Sequence, residues 1–531
     1  MQRQIAIGIL AAGISATARA QQGAGAQQAS DPTNVLAARV QQVMDRPEFK
    51  HAFFGIAFYS LGDKRMVWSH NADKLFVSAS TTKLLTEGTA LQLLGADYRF
   101  HTRVYHTGRL NGGTVEGDLV LVGVGDPNLS GRIQPGDKLA FENEDHAYDG
   151  SPDTRAVPGD PLAVIRELAA QVAAKGIKRV TGRVLVDATV FKEGDRELGT
   201  GVVISPIIVN DNLVDLMIGA GPQAGAPTTV QVSPPSPYVK FVNKSTTAAA
   251  GSRPTITWSS DVTDPDGTHT VTISGTFPAD KQPILFSYAV PEPSRFAEVV
   301  FADALRAQGV AVNLATAAAQ KEYHGAPSSY TAENVVAEHV SPPLSEEVKV
   351  TLKVSQNLHA STTPFIVKSV LARADSSKTG FDLEHDFLQR AGLDLSGAQQ
   401  TDGAGGDARF SPNFMVHYLE YMSKQPSFGS FEQALPILGK DGTLFNIQTS
   451  SPAAGHVFAK TGTLGGYDAL NRKQLVSAKG LAGYLTTPSG KQYAIALYVN
   501  NVAVSLDPDE ITRVAGQALG EIAGIGYSTL P

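Results

Sequence analysis

The sequence predicts an α/β fold interrupted by a large β-rich insertion. Three observations carry this: a hairpin and an apolar-faced helix near the start, a run of short strand-like segments between about residues 101 and 330, and a return to α/β texture from about 335 that ends in two apolar strands and an amphipathic helix. The length of 531 residues agrees, since about two to four domains are expected at roughly 100–200 residues each.

The first helix is expected over 34–44, where Leu36, Val40 and Met44 recur at helical spacing. Residues 52–60 are apolar and aromatic, and 65–68 pairs with them as a hairpin across Gly62 and Asp63. A second helix is expected over 80–94. Leu84, Leu85, Leu91 and Leu94 give it a buried face, and Gly95 suits its C-terminal cap. In the middle region strands are expected at 118–122, 183–186, 255–258 and 270–274, and helices at 161–175 and 293–308. The second of these helices presents Phe296, Val299, Val300, Ala304 and Leu305 on one face. Stretches rich in Pro, Gly and Thr at 219–236 and 245–267 read as loops of a small β-rich module. Core strands are expected at 481–486 and 493–499, and a terminal helix at 511–522.

Composition excludes several chemistries. With 51 acidic and 44 basic residues the formal charge is −7, and no long basic run interrupts it, which disfavours nucleic acid and anionic membranes as partners. The absence of cysteine removes disulfides, thiolate catalysis and Cys-based zinc sites together. No H-E-x-x-H, G-x-x-x-x-G-K-[ST] or G-x-S-x-G occurs. The N-terminus reads as a signal peptide: Arg3, a short apolar stretch at 5–16, and the small-x-small site Ala18-Arg19-Ala20. Export is therefore expected, to the periplasm or cell envelope after cleavage near Ala20, with a flexible leader at 21–30 and no transmembrane anchor in the mature chain.

Three short motifs carry the chemistry. Ser80-Thr81-Thr82-Lys83 opens a helix, so Ser80 and Lys83 share one face. The helix N-terminus favours negative charge developing at Ser80, and a desolvated lysine can take the hydroxyl proton. Alone, the tetrad also fits an N-cap serine followed by a solvated lysine. S-x-N occurs three times. Ser69-His70-Asn71 lies in a turn after the hairpin, and Ser411-Pro412-Asn413 suits a helix N-terminus with proline at N1. Ser355-Gln356-Asn357 stands at the re-entry of the α/β part and precedes a helix, so it is the copy chosen. K-T-G occurs twice. Lys378-Thr379-Gly380 reads as a surface turn, whereas Lys460-Thr461-Gly462-Thr463 follows a strand signature. On an edge strand lining a cleft, its lysine and threonines can hold a carboxylate, and its glycine lets a substrate backbone approach.

With the motifs in this order, the chain resembles the penicillin-binding serine DD-peptidases, and within them the D-alanyl-D-alanine carboxypeptidase/endopeptidase family, peptidase family S13. Further local matches are Asn71-Ala72-Asp73-Lys74-Leu75-Phe76, Gly125-Asp126-Pro127-Asn128-Leu129, Asp402-Gly403, Asp441-Gly442-Thr443-Leu444 and Val499-Asn500-Asn501. The resemblance implies a β-lactamase-like domain, an antiparallel sheet flanked by helices, split by nested β-rich inserted domains. The peptidase domain would take residues 31–100 and 335–531, a second domain 101–195 and 285–334, and a third 196–284. It also implies roles. Ser80 attacks the carbonyl between two D-alanine-type residues, and Lys83 takes its proton. Ser355 and Asn357 relay the proton and hold the substrate amide. Lys460, Thr461, Gly462 and Thr463 form the substrate strand, with the N–H groups of Ser80 and Thr463 as oxyanion hole. Peptidoglycan stem peptides are the implied substrates and β-lactams the covalent inhibitors, with no metal or organic cofactor.

Three departures from the family pattern stand out: Ser78 where relatives often have proline, Ala404 where a serine is common, and a longer segment between Thr463 and Leu481. That segment reads either as a substrate-tuning rim or as a passive hairpin extension. His359 is expected to serve packing or surface rather than catalysis, and Asp126 to form a turn before Pro127. Competing functions are a penicillin-binding pseudoenzyme, a β-lactamase or esterase, and a non-enzymatic adaptor.

Overall fold

The computed structural model of the protein describes residues 31–507 and 510–531. The expected signal peptide and leader, 1–20 and 21–30, lie outside the described residues. A six-stranded antiparallel sheet runs in the order Arg65–His70, Phe53–Ser60, Gln492–Asn500, Lys473–Thr486, Val457–Asp468, with Val502–Val504 paired to the outer part of Lys473–Thr486. It thus joins the two ends of the chain. Strand side chains alternate between faces. Ile495, Leu497 and Val499 enter one core with Leu36 and Val40 of helix Pro32–Met44 and Leu519 and Ile522 of helix Gln517–Thr529. Ala494, Ala496 and Tyr498 enter another, with Leu84 and Leu91 of Lys83–Leu94, Val348 and Leu352 of Leu344–Val354, and Met415 and Leu419 of Pro412–Met422. The central strands are covered on both faces, which is why 481–486 and 493–499 read as nearly continuous apolar runs. Each fully buried aliphatic side chain contributes about 1.5–3 kcal/mol.

Two expectations shift. The terminal helix begins with a π-helical turn, Thr512–Gly516, and continues as α-helix to Thr529 rather than ending near 522. Gly520, Gly524 and Gly526 weaken its sequence signal. Gly526 has a packing reason, since a Cβ there would collide with the Phe58 ring. The segment after Thr463 extends both flanking strands as one long hairpin, from the pair Thr463↔Lys479 to Asp468↔Lys473, with a bulge after Leu464.

Between the halves of this sheet lies an intervening segment. A seven-stranded mixed sheet runs Val335–Val340, His101–His106, Leu119–Val122, Arg179–Asp187, Thr114–Glu116, Arg109–Asn111, with Ala311–Leu314 on Arg179–Asp187. Helices Ala163–Ala174 and Pro293–Ala307 contribute Leu168, Val172, Phe296 and Val300 to its core. Val335–Val340 pairs with His101–His106, so this sheet runs past residue 334. Small sheets follow over residues 213–289, sharing the same core through Val214, Ile218, Val271 and Phe277. There Ile284–Ala289 pairs with Leu213–Gly219, a ladder that straddles residue 285. The strand expected at 255–258 is Thr257–Thr263, because its outer residues are exposed and polar and leave no apolar pattern to read. Among the described residues no helix is long and apolar enough to cross a membrane.

Candidate active site

Ser80 lies in a 3-10 turn, Ala79–Thr82, that runs into the α-helix Lys83–Leu94, rather than in the first turn of one α-helix. The turn is locked from several sides. Thr82 Oγ1 donates to Ala79 O at 2.8 Å, Thr81 Oγ1 to Ser78 O at 2.9 Å, and the Ser78 N–H to Ala408 O at 3.1 Å. Asn500 fastens the preceding residue, accepting from Val77 N at 3.0 Å and donating to Val77 O at 3.2 Å. Ala79 takes a left-handed φ of 45°, strain that these contacts hold in place.

Lys83 is fully buried. Its Nζ donates to Ser80 Oγ at 2.8 Å, Asn357 Oδ1 at 2.7 Å and Ala404 O at 3.1 Å. Burial lowers its pKa to about 7, against the opposing pull of Glu197, Asp402 and Glu87. The loop that supplies the Ala404 carbonyl winds around Asp402, whose Oδ1 accepts from the N–H groups of Ala404 at 2.8 Å, Gly405 at 2.6 Å and Gly406 at 3.1 Å. Ala404 thus reaches Lys83 through its backbone, and a serine in its place would leave that contact available.

Ser355 caps helix Leu344–Val354 in the left-handed conformation, at φ 65° and ψ 37°. Helix Asn357–Leu371 starts two residues later, which turns Asn357 toward Lys83. Asn357, rather than Ser355, makes the direct contact with Lys83 among the described residues.

Lys460 is buried on the edge strand Val457–Asp468, its Nζ donating to Thr461 O at 2.8 Å. Burial, then the nearby Lys83 and Lys479, hold its pKa well below the ordinary ammonium value. Thr461 Oγ1 donates to Thr443 Oγ1 at 2.7 Å. Gly462 faces the nucleophile turn: a Cβ would collide with Ser78 O and lie 3.2 Å from Ser80 N. Thr463 is exposed, and Lys479 Nζ, on the paired strand, donates to its Oγ1 at 2.7 Å. Burial lowers Lys479 to about 8. Among the described residues none of these three lysines has an ion-pair partner. Lys460 and Lys479, two buried amines beside an exposed threonine, suit a carboxylate, whose arrival would favour their charged forms.

The remaining candidates fall elsewhere. Lys378 pairs with Asp386 at 3.0 Å on the surface, and Thr379 caps helix Gly380–Arg390. Ser411 caps Pro412–Met422. Asp126 forms the expected turn, accepting from Asn128 N at 3.0 Å; burial raises its pKa to about 6. His359 is fully buried, bound to Asp211 Nε2-to-Oδ1 at 2.9 Å and to Glu347 at 2.8 Å. Sequence reasoning missed Asp211, Tyr148 and Gly199 of the intervening segment, which reach the Ser355–Asn357 loop. Their only signal was the polar run Asn210-Asp211-Asn212 between apolar strands.

A profile of the D-Ala-D-Ala carboxypeptidase 3 (S13) family matches residues 36–518. A D-alanyl-D-alanine carboxypeptidase of Actinomadura sp. (strain R39) is 27% identical over 512 residues, covering 91% of this chain and 84% of that protein. The D-alanyl-D-alanine carboxypeptidase DacB of Haemophilus influenzae is 24% identical over 460 residues, covering 84% of this chain and 85% of that protein. The crystal structure of penicillin binding protein 4 from Haemophilus influenzae shares the fold, with a TM-score of 0.70 at 21% identity over 92% of this chain and 99% of that one. A second structure of that protein, complexed with a β-lactam, superposes with a TM-score of 0.66 at 20% identity over 93% of this chain and 99% of that one. With the profile spanning nearly all of the described residues, the chain belongs to the D-Ala-D-Ala carboxypeptidase 3 (S13) family.

Proposed function

We propose that this protein is an exported serine-type D-Ala-D-Ala carboxypeptidase and DD-endopeptidase that works on peptidoglycan stem peptides through an acyl-enzyme on Ser80. One observation carries the reading: Lys83 is buried without an ion pair among the described residues, 2.8 Å from Ser80 Oγ, with its pKa brought down to about 7. A neutral Lys83 takes the Ser80 proton as Oγ attacks the carbonyl of the penultimate D-alanine. The oxyanion is received by the N–H groups of Ser80 and Thr463. Lys83 returns the proton to the departing amine through Ser355, the C–N bond breaks, and the terminal D-alanine leaves. Water then attacks the ester, with Lys83 again accepting a proton, and Ser80 is regenerated. Asn357 orients Lys83 and the substrate amide. Thr461 and Thr463 seat the terminal carboxylate, with Lys460 and Lys479 behind them. An arriving carboxylate favours the charged form of both lysines.

The names of the relatives support the substrate, and the β-lactam complex of the Haemophilus protein supports covalent inhibition of this chain by the same drug class. The signal-like N-terminus supports export. The test is intact-protein mass after benzylpenicillin, together with D-alanine release from a stem pentapeptide. The protein gains the mass of one penicilloyl group and releases D-alanine, and Ser80→Ala does neither. Labelling of Ser80→Ala would refute the assignment.

A further inference from the structure

The S-x-N motif sits under the intervening segment, which grips it at three points. Gln356 has no reacting atom near it, yet it is almost fully buried. Its Nε2 donates to Asp211 Oδ2 at 3.2 Å, while its Oε1 accepts the N–H of Leu358 at 2.9 Å and so caps helix Asn357–Leu371. The second oxygen of Asp211 binds His359 Nε2 at 2.9 Å, one turn into that helix. The Tyr148 hydroxyl donates to the carbonyl of Ser355. Gly199 lies flush against Asn357, where a Cβ would collide with the side-chain amide. The Gly199 loop is itself wound on Glu197, which accepts from Gly199 N at 2.7 Å and Gly201 N at 2.8 Å.

Asp211 is held as firmly as it holds. Arg132 donates to its Oδ2 at 2.6 Å, and His146 Nε2 meets the same oxygen at 2.9 Å. Arg132 also pairs with Asp145 at 2.6 Å, His146 with Asp215 at 2.9 Å, and His359 with Glu347 at 2.8 Å. Burial alone would raise the Asp211 pKa, but Arg132, His359 and His146 outweigh it and hold the carboxyl well below its usual range. Burial alone would lower the histidines, but their carboxylates outweigh it and bring both to about 10. Asp211, His146 and His359 are therefore charged throughout the neutral range. Asp211 itself adopts a left-handed φ of 55° and Ser355, the neighbour of Gln356, one of 65°, so both sides of the contact carry backbone strain. Strain of this kind persists only where surroundings over-determine it.

We propose that Asp211 is a positioning residue for the catalytic centre: through Gln356 and His359 it fixes the left-handed turn at Ser355 and the start of the following helix, and so sets where Ser355 and Asn357 stand relative to Lys83. The intervening segment is then part of the acylation machinery, although it supplies no reacting atom. This rests on the proposed roles of Ser355 and Asn357, which Asn357→Ala tests separately.

The experiment measures benzylpenicillin acylation of the full chain, resolved into a binding constant and an acylation rate constant, alongside thermal melting. Asp211→Asn tests the clamp directly but removes one charge from a buried cluster and can unfold the protein. Gln356→Met keeps volume and leaves the cluster charges untouched. Displacing Asn357 by about 1 Å slows acylation by about 10²-fold at unchanged binding constant. Gln356→Met should show that slowing, and where Asp211→Asn folds, the double variant should be no slower than the worse single. Val271→Ala, in the apolar core of the β-rich sheets and outside the charged cluster, should lower the melting temperature and leave the acylation rate constant alone. A Gln356→Met protein that acylates at the wild-type rate while Asn357→Ala is slow would overturn the clamp and spare the mechanism. If Asn357→Ala is also silent, the reading of the motif itself fails. Equal slowing by Val271→Ala would reduce Asp211 to a stability role and overturn the proposal as well.

Discussion

The same tripeptide, Lys-Thr-Gly, occurs at 378–380 and at 460–462 and does opposite things. At the first copy Lys378 is 41% exposed and ion-paired to Asp386, Thr379 caps a helix, and Gly380 packs beneath helix Asn357–Leu371. At the second copy Lys460 is fully buried with no ion pair among the described residues, Thr461 meets Thr443, and Gly462 lies against the nucleophile turn. Residue identity is equal in the two places; desolvation and neighbours are not. A solvated lysine with a carboxylate partner has nothing left to offer a substrate. A buried one repelled by two other amines binds an arriving anion strongly, because the anion relieves both penalties. Chemistry at this site comes from where the strand edge puts the triplet.

The sharpest way to break this comparison is to truncate both lysines. Lys460→Ala should lower kcat/KM on a D-Ala-D-Ala peptide by the equivalent of about 2–5 kcal/mol, since it removes a buried amine that an arriving carboxylate would charge. Lys378→Ala should be silent within error, as its ion pair with Asp386 is solvent-screened. Steady-state kinetics on both variants decide it. A damaging Lys378→Ala would move the substrate strand to the wrong place.

The glycines give the next contrast. Gly462→Ala would drive a methyl group into Ser78 O, pushing the edge strand off the nucleophile turn, and β-lactam acylation should slow by about 10²-fold in the folded protein, whatever the change in melting temperature. Gly380→Ala would collide with Pro364 O, two turns along from Asn357, and should show mainly as a lower melting temperature. Acidity sharpens the point further. Lys83 must be neutral to act as base, so kcat/KM should fall as pH drops through about 7. Lys378, whose pKa the Asp386 hydrogen bond raises, contributes nothing to that profile. A profile flat from pH 5 to about 9 would exclude Lys83 as the base.

What could be read from sequence was what is local. Ser80 and Lys83, three residues apart at a helix start, do meet at 2.8 Å, and the strand signature before Lys460 does become a sheet edge. The apolar runs near 481–486 and 493–499 announced strands covered on both faces. The contact between Lys83 and Asn357 spans 274 residues, and only the S-x-N pattern hinted at it. The grip of Asp211 on Gln356 was invisible, because no local periodicity marks a buried polar contact formed between distant segments. Lys479 lies in none of the three motifs. Its register opposite Thr463 depended on the hairpin continuing through Gly465 and Gly466, two residues that signal a break.

The smallest expected effect separates the two threonines. Thr379 Oγ1 accepts from Asp382 N at 3.1 Å, and Asp382 Oδ2 in turn accepts from Thr379 N at 2.6 Å, a reciprocal cap on an exposed helix end. Its loss in Thr379→Ala should cost about 1 kcal/mol, within the usual range for N-cap truncation. In a catalytic portion of this size that is a melting shift of roughly 2–4 °C. Activity should not change, because the cap bonds lie on an exposed helix end. Thr461→Ala should do the reverse, leaving melting nearly unchanged while raising KM for a peptide with a free C-terminal carboxylate. The Thr443 hydroxyl that Thr461 now contacts can turn to solvent, so little stability is at stake, but one carboxylate donor is gone. Melting curves and KM values for the two variants, measured side by side, should therefore cross. If Thr379→Ala raises KM, or Thr461→Ala costs melting temperature with KM intact, the division between a capping triplet and a substrate-binding triplet does not hold.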